Sequence, residues 1–203
     1  ANNLVIQDIF FRSDGTVMFT LDDFNDRVNV YNLSTPWNVS TAVYSTNRSL
    51  GSNNNMLNPS GMTFSADGLY MYIFSGYLRY MHRFALATAW NISSATQTTS
   101  SFPSSQITLS STASGIAISS DGSRMIIADP NNDQIYEYTL NTPYSITSTS
   151  YIGSLSIASD NTFPNGCNWS SDGKYLYVVG STPDSVHRYE TCSDGAYKIL
   201  GRP

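Results

Sequence analysis

The ionisable side chains that could carry chemistry fall into a few groups in this sequence. The chain contains four copies of a repeat. Its two histidines, His82 and His187, occupy corresponding positions in two of these copies, and the other two copies have Asn29 and Tyr136 there. Two histidines could begin a zinc or copper site, but such a site needs further soft or acidic ligands converging on them. We therefore expect packing or hydrogen-bonding roles for both and predict no metal site.

Aspartates recur at one point of the same repeat, and each is followed by glycine. The four positions are Asp14, Asp67, Asp121 and Asp172. A carboxylate could act as a general acid or base, but aspartate in a turn also accepts hydrogen bonds from nearby backbone N–H groups. The turn position explains all four, so we predict structural roles. Because Asp-Gly favours hairpins with two left-handed residues, we expect positive φ at both positions.

Two oxygen-rich loops could hold a calcium ion. They run from Asp22 to Asp26 and from Asp129 to Asp133. Calcium takes carboxylate and amide oxygens, but neither loop has the twelve residues and closing glutamate of an EF-hand. Asp and Asn are also ordinary turn formers. Whether Ca²⁺ binds these loops stays open.

The cysteines and the known catalytic motifs suggest no further chemistry. Cys167 and Cys192 are too few for a disulfide framework or a zinc-binding pattern, and we expect two free thiols. The sequence contains no P-loop and no Gly-Xaa-Ser-Xaa-Gly element, and neither cysteine lies in a recognisable nucleophile motif. We therefore predict no catalytic, cofactor-binding or metal-ligating residues and no cofactor.

An aromatic residue also recurs once in each of three repeats, at Trp37, Trp90 and Tyr144. Aromatic rings could stack on sugars, as in a lectin. Their recurrence in step with the scaffold favours wedges between neighbouring repeats instead, and we predict that role.

Composition narrows the classes of partner. Charged residues make up 12% of the 203 residues, and 10 basic against 15 acidic residues give a net charge of −5. Lysine and arginine form no cluster, which excludes nucleic acid and anionic membrane surfaces as partners. No apolar run approaches the roughly 18 residues of a membrane span. A surface rich in Ser, Thr, Asn and Tyr is typical of an extracellular or virion β-protein.

The Asp-Gly element recurs about every 50 residues, a period that indicates a propeller or a solenoid. The repeats span approximately residues 1–50, 51–109, 110–157 and 158–203, so we predict one domain over 1–203. No segment has sustained helical periodicity. Four repeats of four short strands favour an all-β, four-repeat β-propeller, either a small closed ring or part of a larger one.

Four strands, A to D, are predicted in each repeat. Strand A covers Ile6 to Phe11, Gly61 to Phe64, Gly115 to Ile118 and Gly166 to Trp169. Strand B covers Val17 to Leu21, Tyr70 to Phe74, Met125 to Ala128 and Tyr175 to Val179. Strand C covers Arg27 to Tyr31, Tyr80 to Phe84, Gln134 to Tyr138 and Ser185 to Tyr189. Strand D covers Ala42 to Leu50, Gln106 to Leu109, Tyr151 to Ile157 and Ala196 to Leu200.

The start of strand A carries a further pattern. The later three repeats have a polar residue and glycine there, Ser60-Gly61, Ser114-Gly115 and Asn165-Gly166. Glycine permits close backbone approach near a crowded axis. The first repeat departs from this pattern, with Gln7-Asp8.

The Asp-Gly turn and the aromatic end of strand C resemble YVTN and WD40-like β-propeller repeats. The element Leu33-Ser34-Thr35-Pro36-Trp37 is similar to repeats in tail-associated and surface proteins of phages and bacteria. The resemblance implies a propeller fold. It implies little about function, since such families include surface-layer proteins, receptor-binding proteins, lactonases and metalloenzymes.

We expect from this a non-enzymatic structural or binding module on a virion or another extracellular surface. The alternatives are an extracellular lactonase-type propeller enzyme and a carbohydrate-binding lectin. Expected partners are proteins of an assembly or a second copy of the chain, with surface glycans as a further option. The candidate contact loops are Asp22 to Asp26, Ser75 to Arg79, Asp129 to Asp133 and Ser181 to Asp184.

Overall fold

The chain forms four blades, each a sheet of four antiparallel strands in chain order. The computed structural model describes residues 4–51, 58–101, 108–160, 162–191 and 197–199. Blade 1 contains β1 (Ile6–Phe11), β2 (Val17–Asp22), β3 (Arg27–Leu33) and β4 (Ala42–Ser49). Blade 2 contains β5 (Pro59–Phe64), β6 (Tyr70–Ser75), β7 (Tyr80–Leu86) and β8 (Ala95–Ser101). Blade 3 contains β9 (Ile116–Ile118), β10 (Arg124–Asp129), β11 (Gln134–Leu140) and β12 (Thr149–Ser156). Blade 4 contains β13 (Thr162–Trp169), β14 (Tyr175–Thr182), β15 (Asp184–Thr191) and β16 (Tyr197–Ile199).

The first strands of the blades line the axis. β1 contacts β5, β5 contacts β9, and β9 contacts β13. This arrangement confirms the predicted all-β propeller with four four-stranded repeats. Within the described residues, short 3-10 helices lie in the connections at Val39–Thr41, Ile92–Ser94 and Pro130–Asn132.

The Asp-Gly turns connect the first two strands of every blade, with a geometry that differs from the predicted one. Asp172 accepts hydrogen bonds from the Lys174 backbone N–H at 3.1 Å and the Ser170 hydroxyl at 2.6 Å. In all four turns the glycine has φ near +70°, whereas none of the aspartates does. The expectation of two left-handed residues is therefore wrong. The Gly173 N–H donates to the Ser170 carbonyl, so glycine ends a four-residue turn instead of occupying its centre.

The predicted strand D of blade 2 is also wrong. The strand runs over Ala95–Ser101 instead of Gln106 to Leu109. Its sequence, ATQTTSS, has no apolar alternation, and it is held by its backbone ladder with β7. Leu109 is instead a buried core residue between blades 2 and 3, and Gln106 lies outside the described residues.

Three hydrophobic cores lie between consecutive blades. Phe19 and Leu21 of blade 1 pack with Met71 and Ile73 of blade 2, and the pattern repeats between blades 2 and 3 and between blades 3 and 4. The middle strands of blades 2 and 3 carry apolar residues on both faces because a neighbouring blade covers each face. No described core joins blade 4 to blade 1.

Candidate functional site at the propeller axis

A β-bulge opens the first strand of three blades at the axial end. The strand register shifts at Gln7 in blade 1, at Ser60 in blade 2 and at Asn165 in blade 4. A bulge redirects a side chain and recurs next to active sites. The polar residues that the sequence places before glycine are thus the bulged ones.

Gly61 of blade 2 and Gly115 of blade 3, which hold the same place at the start of predicted strand A, lie in close contact with the next blade. A Cβ on Gly61 would lie 2.5 Å from the Ser114 carbonyl oxygen, and one on Gly115 would lie 2.5 Å from the Gly166 Cα. Side chains are therefore excluded there, as the sequence predicts. The corresponding residue of blade 1 is Asp8, which pairs with Leu21.

Asp8 thus carries a carboxylate at a position that is otherwise glycine. Its Oδ2 accepts a hydrogen bond of 2.7 Å from the Met62 N–H, and its Oδ1 accepts one of 2.8 Å from the Ile9 N–H. Burial raises the pKa of Asp8 to about 6, although both N–H groups oppose the shift. A general base works best with a pKa near the pH of the reaction, so Asp8 has the protonation behaviour that such a role requires.

Cys167 is the second ionisable residue at the axis. Its Sγ lies 3.5 Å from the Gly115 carbonyl oxygen. Burial, and then the negative charge of Asp8, raises the pKa of the Cys167 thiol well above its usual range. Cys167 is therefore protonated at neutral pH, and a protonated thiol is a poor nucleophile. Its thiol is free, as predicted, whereas Cys192 lies outside the described residues.

Further polar groups come from the residues that precede the Asp8 position at the start of strand A in each blade. The Ser114 hydroxyl donates to the Asn165 carbonyl at 3.0 Å, and the Asn165 side-chain amide donates to the Ser181 hydroxyl at 3.2 Å. Gln7 donates to Asp23 at 3.4 Å. The axial end thus combines one carboxylate with hydroxyl and amide groups that suit a polyhydroxylated ligand.

The opposite end of the axis has a different lining. A cleft of about 210 Å³ lies among the Asp-Gly turns and is lined by aromatic and small polar residues of all four blades, including Phe11, Trp90, Ser119 and Trp169. None of its lining residues is ionisable in the physiological range. It therefore lacks a group for acid–base chemistry.

The two histidines remain in separate blades. His82 is buried in β7, where its Nδ1 lies 3.2 Å from the Gln97 amide nitrogen, and burial lowers its pKa to about 4. His187 lies in β15, and its Nε2 is 2.9 Å from the Ser185 hydroxyl. Hydrogen bonding agrees with the predicted roles. Among the described residues, no group of three or more His, Cys, Asp or Glu side chains is arranged to hold a metal.

Asp22 and Asp129 of the oxygen-rich loops have equivalent structural roles. Asp22 accepts from the Val5 N–H at 3.3 Å and from the Asn25 side-chain amide at 2.7 Å. Asp129 accepts from the Ser110 N–H at 2.7 Å and from the Asn132 side-chain amide at 2.9 Å. Both carboxylates are fully buried and tie the entry to strand A to the loop between strands B and C.

The recurring aromatic residues lie on the glycines of their own Asp-Gly turns. A Cβ on Gly68 would lie 2.3 Å from the Trp90 ring, and one on Gly122 would lie 2.6 Å from the Tyr144 ring. Trp90 also packs against Phe64 and the blade 1 core. The rings of Trp90 and Tyr144 are therefore wedges at the boundary with the preceding blade, as predicted. Trp37 is 58% exposed, since none of the described blades packs on that side of blade 1.

Comparison with known proteins identifies the family. The family model described as "Lactonase, 7-bladed beta-propeller" matches residues 8–196. The chain belongs to this lactonase family. Comparison with curated protein sequences gave no match.

Solved structures show the same fold. A candidate 6-phosphogluconolactonase of Bacteroides uniformis has a TM-score of 0.63 at 17% identity, over 96% of this chain and 53% of its own. The periplasmic gluconolactonase PpgL of Pseudomonas aeruginosa has a TM-score of 0.58 at 16% identity, over 97% and 53%. The β-propeller domain of Myceliophteria thermophila Cps50 (Swd1) has a TM-score of 0.60 at 10% identity, over 98% and 60%. The chain spans about half the length of these two lactonase-type proteins.

These findings correct the functional expectations. A family of lactonases overturns the expectation of a non-enzymatic structural module and favours the lactonase-type alternative. The error has a physical reason: the repeats specify the scaffold, and a scaffold hosts unrelated functions. The WD40-like resemblance is supported, whereas the likeness to YVTN repeats and phage tail proteins, and a virion location, gain no support.

Sequence reasoning missed Asp8 as a functional candidate. The available signal was the single break in the glycine column, Gln7-Asp8 in place of a polar residue and glycine.

No helix in the described part of the chain has the length and apolar character needed to cross a membrane.

Proposed function

We propose that this chain is a lactonase-type hydrolase, or the part of one that carries its general base, acting outside the cytoplasm on a sugar-acid lactone. The observation that carries the proposal is the axial carboxylate of Asp8, with its pKa of about 6, in a chain of the lactonase family. The location rests on the periplasmic gluconolactonase of similar fold and on the low content of charged residues.

The reaction needs a base that removes a proton from water. Above pH 6 Asp8 is ionised, and its carboxylate takes a proton from a water molecule as the water oxygen attacks the lactone carbonyl carbon. The bond between that carbon and the ring oxygen then breaks. The ring oxygen takes the proton that Asp8 accepted from water, which regenerates the carboxylate, and the product is the open-chain hydroxy acid.

The surrounding groups indicate the substrate class. Gln7 precedes Asp8, and Ser114 and Asn165 hold the same place in blades 3 and 4; their hydroxyl and amide groups are of the kind that exchange hydrogen bonds with sugar hydroxyls. A net charge of −5 and the Asp8 carboxylate repel a phosphate group. A neutral gluconolactone is therefore favoured over a phosphorylated one.

The test compares hydrolysis of δ-gluconolactone by the wild type, Asp8→Asn and Asp172→Asn. Asp8→Asn should lower kcat about 100-fold or more, and the wild-type kcat should fall as pH drops below about 6. Asp172→Asn alters only a turn aspartate and should keep the wild-type rate. Equal rates for a folded Asp8→Asn variant and the wild type would refute the role of Asp8. Absence of hydrolysis of neutral and phosphorylated lactones alike would refute the proposed function.

A further inference from the structure

A cleft of about 240 Å³ opens between blades 1 and 2. Strands β3 and β4 of blade 1 form one wall, and residues 89–92, in the connection between β7 and β8, form the other. Both walls belong to the contact between blades 1 and 2, so the cleft does not depend on what packs on any other blade face.

The equivalent place between blades 2 and 3 is filled by side chains. The Tyr72 hydroxyl donates a 2.7 Å hydrogen bond to the Tyr144 carbonyl oxygen, and Arg83 donates one of 3.2 Å to the same oxygen. Arg83 also donates to the Thr98 hydroxyl at 3.2 Å. Its guanidinium lies 4.9 Å from the centre of the Tyr70 ring. Two tyrosines and one guanidinium thus occupy the space at that contact.

Blade 1 lacks these filling side chains. Phe19 and Val30 stand where blade 2 has Tyr72 and Arg83, and the two strand pairs correspond. Val17 replaces the tyrosine whose ring lies against the guanidinium. Valine is smaller than arginine or tyrosine, and neither phenylalanine nor valine has a side-chain donor. The cleft is therefore the space that a tyrosine and an arginine occupy at the next contact.

The carbonyl that receives those donors is kept. Trp90 stands where blade 3 has Tyr144, and the two residues have φ of 65° and 62°. Their N–H groups donate at 2.9 Å to the carbonyl oxygens of Gly68 and Gly122 respectively, so the two connections have the same conformation. The Trp90 carbonyl oxygen therefore faces blade 1, which has no tyrosine or arginine at the donor positions.

Polar groups that the next contact lacks also line the cleft. Arg12, Asn32 and Asn91 contribute a guanidinium and two amides, where the corresponding positions of the next contact have serine or alanine. Arg12 is paired with Asp14 at 2.8 Å, so this pair adds no net charge. The Ser45 hydroxyl stands where blade 2 has its threonine acceptor. The cleft thus combines donors, acceptors and apolar side chains.

We propose that this cleft binds a neutral hexopyranose ring. The sugar hydroxyls donate to the Trp90 carbonyl oxygen and accept from the Asn32 and Asn91 amides, while the C–H face of the ring packs on Val30. A guanidinium group, which fills the next contact, suits this cleft less because it only donates and because Arg12 repels it. The inference does not depend on the enzymatic proposal.

The test measures binding of the methyl glycosides of glucose, galactose and mannose by saturation-transfer NMR and chemical-shift titration. These probes are not lactones, so hydrolysis at the axis cannot change the result. At least one of them should bind the wild type with a Kd of about 1 mM. A disaccharide that ends in the same sugar distinguishes the end of a glycan, which both probes fit, from a free sugar, which only the methyl glycoside represents.

Two variants place the sugar in the cleft. Val30→Arg should weaken binding about tenfold or more, because the new side chain fills the cleft as an arginine does in blade 2. Asn32→Ala removes only an exposed amide and should weaken binding several-fold without affecting the fold. Ile152→Arg is the matched control, since Ile152 is 51% exposed in β12 of blade 3, outside the cleft. Circular dichroism verifies that all three variants fold.

Three results would overturn the proposal. The first is that no glycoside binds the wild type. The second is that a glycoside binds Asn32→Ala and folded Val30→Arg as tightly as the wild type, which would place the sugar elsewhere. The third is that arginine methyl ester binds in the cleft and the glycosides do not, which would assign the site to a guanidinium.

Discussion

Asp8 stands at a position where blades 2 to 4 have glycine. It keeps the strand pairing of that position, and its carboxylate is anchored by the Met62 N–H. Burial makes its ionisation costly, which raises its pKa, and the same burial makes it a candidate base. The raised pKa that suits a general base therefore also lowers the stability of the folded protein when Asp8 is ionised.

Asp8→Asn should stabilise the protein at neutral pH. The folded state binds a proton at Asp8 up to about pH 6, whereas the ordinary pKa is 3.8. Between these values the folded state holds more protons, so the free energy of unfolding falls as pH rises through this window. The variant should gain on the order of 2 kcal/mol above pH 7 and little below pH 4. Urea unfolding at pH 4 and pH 8 measures this, and an equal difference at both pH values would contradict it.

His82 should make the fold sensitive to acid in the opposite direction. Burial lowers its pKa from 6.5 to about 4, so the unfolded chain binds a proton more readily between these values. The free energy of unfolding should fall as pH drops from 6.5 to 4. His82→Gln does not titrate, so its melting temperature should fall less over this range than that of the wild type. His187→Gln is the control, and an unchanged slope in His82→Gln would exclude the effect.

At the scale of elements, the Asp-Gly hairpin and the aromatic connection form one unit in blades 1 to 3. The ring of Trp37, Trp90 or Tyr144 lies on the turn glycine, and the backbone N–H of the same aromatic residue donates to that glycine's carbonyl oxygen at 2.9 Å. Gly173 of blade 4 has a φ of 71°, and no atom of the described residues lies within 4 Å of an added Cβ. Substitution of Gly173 therefore measures the cost of backbone strain alone, whereas substitution of a turn glycine in blades 1 to 3 also adds a steric clash.

Gly122→Ala should be more destabilising than Gly173→Ala. Both place alanine in the left-handed region, which costs about 1 kcal/mol. Only the Gly122 variant also places a methyl group 2.6 Å from the Tyr144 ring. Thermal unfolding should show an additional loss for Gly122→Ala, and most of that additional loss should disappear in the Tyr144→Ala background. Equal losses for the two glycine variants would contradict the packing of ring on glycine.

At the scale of the whole molecule, stability lies between blades. Three cores join consecutive blades, and the free faces of blades 1 and 4 contribute nothing comparable within one chain. Two residues of the same type, at the same position of different repeats, can therefore contribute very differently to the free energy of unfolding. Val28 and Val186 form such a pair, since both lie at the second position of the predicted strand C.

Val28→Ala should cost about 2 kcal/mol, because Val28 is fully buried against blade 2. Val186→Ala should cost a few tenths of a kcal/mol in dilute protein, because its side chain is 63% exposed. Urea unfolding of both variants in dilute protein measures the two losses. Equal losses for the two variants in dilute protein would show that blade 4 is covered within its own chain.

The local features of this fold follow from the sequence alone. Turn chemistry acts over a few residues, so the Asp-Gly elements predicted the hairpins, and short apolar runs predicted strands A to C within two residues of their bounds in blades 1 to 3. In blade 4 the first strand begins at Thr162 instead of Gly166, and the second ends at Thr182 instead of Val179. Only the tertiary structure decided the features that depend on distant neighbours. Strand Ala95–Ser101 is polar and is ordered by its ladder with β7. The pKa of Asp8 is raised because distant strands bury it, and Val186 is exposed because none of the described blades packs on it.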